Sequence, residues 1–183
     1  MNDRVVSLVS GAASGIGAAC VRHLAARGDL VVGLDQSAAV DQVVRDHGGH
    51  AGVVVDVSSS AAVDAAIAAV IDDLGQIDHV VAAAGIELNA PAHEMDDAMW
   101  SRVQRVNVDG AFFLARAAAR TMIAAGRPGS IVLLGSINST IAMPEQVAYV
   151  VSKGAVLQLG RGLAVDWGRY RSEEHTSELQ SRV

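Results

Sequence analysis

Short apolar runs alternate along this chain with longer segments of helical period, and that alternation predicts an α/β fold with a doubly wound parallel sheet. Two further observations support it. The runs are continuous rather than alternating, as in strands buried on both faces. A glycine-spaced turn follows the first of them, where such folds gather ligands at the carboxyl ends of their strands. In order, residues 5–9 read as the first strand and Gly15–Ala26 as a helix ended by Gly28. Residues 30–34 form the second strand, followed by a helix over 38–46, and 50–55 form the third. Ser58 to Ser60 offer caps for a helix over 61–74 that Gly75 stops. The fourth strand covers 79–84, two helices cover 95–105 and 108–125, and the fifth strand covers 130–134. Val147–Trp167 reads as one long helix.

Composition bounds the function. At 183 residues the chain suits a single domain, and with aromatics at only 3% its core must be built from Ala, Val, Leu and Ile. A formal charge of −6 and the lack of a basic cluster argue against a nucleic-acid partner. Cys20 is the one cysteine, which excludes a disulfide framework and fits a cytoplasmic location. No signal peptide and no membrane-spanning run is read. The 6 histidines show no metal-ligand spacing, so no metal is expected.

The turn Ser10-Gly11-Ala12-Ala13-Ser14-Gly15-Ile16-Gly17 joins the first strand to the first helix, a Rossmann-type arrangement. Glycines there permit a tight turn and let backbone N–H groups approach a pyrophosphate at the positive helix end. Asp35 ends the second strand, where a carboxylate can bond both ribose hydroxyls and repel a 2′-phosphate. No Arg or Lys stands in the turn or just after Asp35, so NAD is the expected cofactor. Asp56 closes the third strand and is placed either to reach the adenine amino group or to cap the next helix.

Tyr149 and Lys153 lie four residues apart in AYVVSKGAVLQL, which puts both on one helical face. An ammonium beside a phenol favours the phenolate, so such a tyrosine can pass a proton near neutrality. Together with a dinucleotide turn, this is a redox pairing.

With Asn107 in RVNVDGAFF and Ser136 in IVLLGSINS added in this order, residues 4–170 resemble the short-chain dehydrogenase/reductase family, in its compact single-domain branch. The resemblance implies an NAD-dependent oxidoreductase that interconverts a small secondary alcohol and a ketone, with Asn107, Ser136, Tyr149 and Lys153 as its catalytic tetrad. Tyr149 would be the general acid/base and Ser136 would bond the reacting oxygen. Lys153 would bind the nicotinamide ribose, and Asn107 would hold a water linking Lys153 to solvent. The expected cofactor-binding positions are Gly11, Ser14, Gly15, Ile16 and Gly17 in the turn, then Asp35, Asp56 and Val57, then Ala84 and Gly85, with Tyr149 and Lys153. A homo-tetramer or homo-dimer using the helices at 108–125 and Val147–Trp167 is implied for the parent protein. Where the family usually has asparagine after the fourth strand, this chain reads Ala82-Ala83-Ala84-Gly85, which puts rigidity near the cofactor in doubt. Two other readings stay open: a nucleotide-sugar epimerase or dehydratase on the same fold, and a non-catalytic dinucleotide-binding fragment.

After Tyr170 the character changes. Residues 171–183 read RSEEHTSELQSRV, without apolar period, and RSEEHTSELQS is also the translation of a common sequencing-library adapter. The expectation is a non-native, disordered tail on a domain of residues 1–170 that lacks the family's last strands. The fifth strand is then expected to be a bare edge, and the chain as written to be poorly soluble and inactive.

Overall fold

The computed structural model describes residues 4–170 in full and the backbone of the strand at 173–176. The elements run β1 (Val6–Ser10), α1 (Gly15–Ala26), β2 (Leu30–Asp35), α2 (Val40–Asp46), β3 (Ala51–Val54), α3 (Ser60–Leu74), β4 (His79–Ala82) and α4 (Asp97–Gln104). A π turn (Arg105–Asp109) leads into α5 (Gly110–Ala124), then β5 (Ser130–Leu133), a 3-10 turn (Ile137–Ser139), α6 (Val147–Trp167) and β6 (Glu173–Thr176). All strand pairs are parallel, in the order β3-β2-β1-β4-β5-β6. The doubly wound parallel α/β fold is therefore present.

Each face of the sheet is covered by helices. Val9 and Val31 pack with Val21 of α1 and with Val40 and Val44 of α2. On the other face, Leu8, Val80, Ile131 and Leu133 share a core with α3, α5 and α6 through residues such as Ile67, Leu114, Met122 and Val156. Gly33 is required in β2 by close packing, because a Cβ there would run into the Val44 side chain and stand 2.7 Å from the Ala12 methyl. Asp96 caps α4 by accepting from Met99 N at 2.7 Å, Ser59 caps α3, and Gly75 ends α3 at φ +79.

Three expectations need correction. The helices expected at 95–105 and 108–125 run on without a break, because the π turn absorbs the surplus residue while keeping the backbone helical. The fourth strand ends at Ala82 rather than at 84, since Ala84 N donates to the Ser10 hydroxyl at 3.2 Å rather than joining a ladder. The fifth strand is not a bare edge, and residues 173–176 of the expected disordered tail form β6 alongside it, from Ser130↔Glu173 to Leu133↔Thr176. An open parallel edge offers backbone groups that any extended segment can pair with, whatever its side chains. The remaining tail positions, 171–172 and 177–183, lie outside the described residues.

At the amino end of the sheet, opposite the site, Asp29 is buried to 5% exposure. The Ser7 hydroxyl donates to it at 2.5 Å, and Arg27 grips both its oxygens at 2.6 and 3.1 Å. Burial alone would raise this carboxyl, but the hydrogen bonds from Arg27 and Ser7, with the Arg27 charge, outweigh burial and hold it below the usual carboxylate range. A carboxyl depressed in the fold contributes stability above its unfolded pKa of about 4 and loses it as pH falls through the folded value. Asp29→Asn should cost about 1–3 kcal/mol at neutral pH. It should also flatten the acid limb of stability, read from urea midpoints between about pH 7 and about pH 3. Parallel acid limbs in the two proteins would exclude Asp29 as the source.

Candidate active site

The carboxyl ends of the strands open on a cleft of about 900 Å³. Its walls bring together Gly11, Ser14, Gly15, Ile16 and Gly17 of the first turn, Asp35, Asp56 and Val57, Ala84 and Gly85, and Tyr149 and Lys153. Every expected cofactor-binding position thus faces one cavity.

At the glycine end, Gly11 has φ +70, and a Cβ on it would stand 2.9 Å from Ala84 Cα. A Cβ on Gly17 would collide with the Gly11 carbonyl, so β1, α1 and the β4 loop meet backbone to backbone. Gly15, at φ +52, has open space where its side chain would be. No side chain caps α1 at Ser14 and its first turn holds no acid, so the positive helix end faces the cleft. This cradle fits a dinucleotide pyrophosphate. Asp35 accepts from Ala13 N at 3.1 Å and from Ser37 N at 2.9 Å, which anchors the turn to β2 and leaves each carboxylate oxygen capacity for another donor. Asp56 accepts from Ser58 N at 2.9 Å and does not cap α3; Ser59 does. Hydrogen bonds from Ser58, helped by the Arg105 charge, hold the Asp56 carboxyl below its usual range against the opposing effect of desolvation. Val57 is buried against Gly110, where a Cβ would come within 2.8 Å of it.

At the other end, α6 presents Tyr149 half-buried and Lys153 at 5% exposure. Lys153 Nζ donates to the Leu134 carbonyl at 2.7 Å and lies 5.6 Å from the centre of the Tyr149 ring. Ser136 caps the 3-10 turn after β5. Its oxygen accepts from Asn138 N at 3.1 Å, and its own N–H donates to Ser139 Oγ at 3.2 Å. Asn107 sits in the π turn at 2% exposure, with Oδ1 accepting from Ile86 N at 2.8 Å. Its Nδ2 donates to the Ile86 carbonyl and to Ser152 Oγ, each at 2.9 Å. Ser136 and Asn107 are near the cleft but are not among its lining residues. The expected Asn107 water would have to use the remaining lone pair of Oδ1 or the backbone, because both carboxamide N–H groups go to protein partners.

Sequence reasoning did not place Ala98, Ser101, Arg102 and Arg105 in the cleft wall. Their spacing of three, four and seven on a helical run was the available signal, since it defines one face. Ser10 and Ser152 are both buried and hydrogen-bonded, and neither has a local sequence signal for its partner. Among the described residues no group of three or more His, Cys, Asp or Glu side chains is arranged to hold a metal, and no helix is long and apolar enough to cross a membrane.

A family model described as "Enoyl-(Acyl carrier protein) reductase" matches residues 11–172. The galactitol 2-dehydrogenase (L-tagatose-forming) of Cereibacter sphaeroides is 42% identical over 170 residues, covering 90% of this chain and 66% of that protein. A solved structure of NAD+-bound xylitol dehydrogenase superposes with a TM-score of 0.88 at 32% identity, covering 94% of this chain and 68% of that one. A gluconate 5-dehydrogenase from Burkholderia cenocepacia, solved with NADP and tartrate, gives a TM-score of 0.87 at 36% identity, covering 96% and 70%. The chain spans about two thirds of the length of the curated relatives it matches.

The bracing of the β4 loop has a measurable consequence. Ser10 is 2% exposed and supplies the acceptor for Ala84 N. Ser10→Ala should destabilise the protein by about 0.5–1.5 kcal/mol, the net worth of one hydrogen bond. Amide exchange at Ala84 should accelerate more than at Val80. Unchanged exchange at Ala84 would show that the hydroxyl does not hold the loop.

Proposed function

The chain belongs to the short-chain dehydrogenase/reductase family, and from that premise we propose an oxidoreductase that moves a hydride between NAD(H) and a secondary alcohol or ketone. The observation that carries this reading is that Tyr149 and Lys153 line the same cleft as Gly11, Gly15, Gly17 and Asp35. The nicotinamide, when bound, supplies or accepts the hydride. The glycine turn would hold the pyrophosphate and Asp35 the adenosine ribose, with Asp56 and Val57 at the adenine, Ala84 and Gly85 along the cofactor, and Lys153 at the nicotinamide ribose.

Tyr149 would exchange the proton with the substrate oxygen as general acid/base. Ser136 suits a supporting donor, because its oxygen already accepts from Asn138 N and its hydrogen is left to point at a developing alkoxide. Lys153 would bring positive charge to the same place, and Asn107 would act through the backbone it grips. The resemblance to a galactitol and a xylitol dehydrogenase supports a polyol or other hydroxylated substrate, in keeping with Glu87, Ser101 and Arg102 in the cleft wall. Asp35 favours NAD over NADP, since a 2′-phosphate would meet its carboxylate. A homo-dimer or homo-tetramer is the proposed assembly; Val151 and Val165 stand 43% and 82% exposed on α6.

Tyr149→Phe in the full-length gene product should lower turnover by about 10²–10⁴-fold while NADH binding, followed by fluorescence, persists. Near-normal turnover would refute the acid/base assignment. Asp35→Ala should reduce the NAD/NADP ratio of kcat/KM by about tenfold or more, as expected for one lost charge-assisted contact and a relieved repulsion. An unaltered ratio would place the ribose contact elsewhere.

A further inference from the structure

Ser152 lies one position before Lys153, in the second turn of α6, with no exposed surface. Its hydroxyl donates to the Tyr149 carbonyl at 2.7 Å and accepts from Asn107 Nδ2 at 2.9 Å. Asn107 in turn closes both its remaining bonds on Ile86, whose N–H can be met only by Oδ1 and whose carbonyl only by Nδ2. Ile86 therefore fixes which way the carboxamide points. That leaves one N–H aimed at Ser152, and the serine, having given its single proton to Tyr149, must be the acceptor.

A continuous set of direct bonds thus runs from the β4 loop through the π turn to the helix bearing Tyr149 and Lys153. We propose that Ser152 is a positioning residue for the redox site, its hydroxyl locking α6 to Asn107 and so holding Tyr149 and Lys153 in register with the β4 loop. This rests on the reading of Tyr149 and Lys153 given above. Local preference does not explain the serine. In a helix interior, alanine is the better former, and a serine bonded back to the preceding turn is neutral or slightly unfavourable. The hydroxyl is useful at this buried place because Asn107 needs an acceptor there.

Two variants test it. Ser152→Ala in the 183-residue chain should speed amide exchange at Ile86 by about fivefold to tenfold, the size of one hydrogen bond, with Val80 in β4 unchanged. In the full-length gene product it should lower kcat by a similar factor, with NADH affinity, to which Lys153 gives one contact among several, falling by less. Ser152→Thr keeps the hydroxyl and the bond back to residue 149, and it should restore both readouts; if the added methyl prevents folding, Ser152→Ala alone decides. Ile86 exchange and kcat within about twofold of the parent in Ser152→Ala would overturn the proposal, being less than one hydrogen bond is worth. So would faster exchange at Val80 together with Ile86, which marks general loosening. Turnover retained by Tyr149→Phe would instead overturn the reading of the site, and Ile86 exchange would still decide whether the clamp exists.

Discussion

An ammonium withdrawn from water to 5% exposure must find oxygen, and the geometry around Lys153 follows from that demand. Its acceptor is the carbonyl of Leu134, one residue beyond the stretch of β5 that pairs with β6. Helix α6 is thereby drawn against the carboxyl end of β5, the edge where the strands open on the cleft. The β4 loop has to pass close by, and it does so at a glycine. A Cβ on Gly85 would lie 3.7 Å from Lys153 Nζ and 3.4 Å from Asn107 Oδ1, in contact with both polar groups. The Tyr149 ring, one turn earlier on α6, then stands beside the ammonium.

The same economy of side chains governs the other end of the cleft. Gly11, Gly17 and Ala84 let three backbone segments touch, and the polar groups exposed by that approach are met from neighbouring elements. Asp35 at the end of β2 takes the Ala13 N–H, and Ser10 at the end of β1 takes the Ala84 N–H. A chain with 3% aromatics and 51% apolar residues overall packs its sheet with Val, Leu, Ile and Ala, whose small volumes permit such close approach. Packing and site are therefore coupled. Gly11, Gly17 and Ala84, where the segments approach closely, also line the cleft.

What was legible in the sequence was whatever local chemistry decides. Gly15–Ala26 and Val147–Trp167 begin and end where their patterns predict, and α3 stops at Gly75 because that residue takes a left-handed turn at φ +79. The gathering of Tyr149, Lys153, the glycine turn and Asp35 followed from one helical spacing and from strand ends that a parallel sheet places together. The rest depends on distant partners. The π turn at Arg105–Asp109 leaves no mark in RVNVDG, and the bond that Asn107 within it makes to Ile86 reaches across the fold. Nor could β6 be read from EEHT, a segment without the apolar run of the other strands, which joins the sheet by its backbone ladder to β5. Ser152 is silent in the sequence, because a serine in a helix carries no signal until its neighbour across the fold is known.

The three alanines after β4 show how far such distant bonding can substitute for a local one. An asparagine in that segment would brace adjoining backbone from within. Here the bracing comes from both sides instead, with Ser10 holding Ala84 from β1 and Asn107 holding both backbone groups of Ile86 from the π turn. Gly85 lies between these two fixed points with no side chain of its own, so neither it nor its neighbours need a polar group. Rigidity at this loop is a property of β1 and the π turn, transmitted through hydrogen bonds rather than encoded in the loop. The doubt raised by the alanines is answered by residues 74 and 21 positions away.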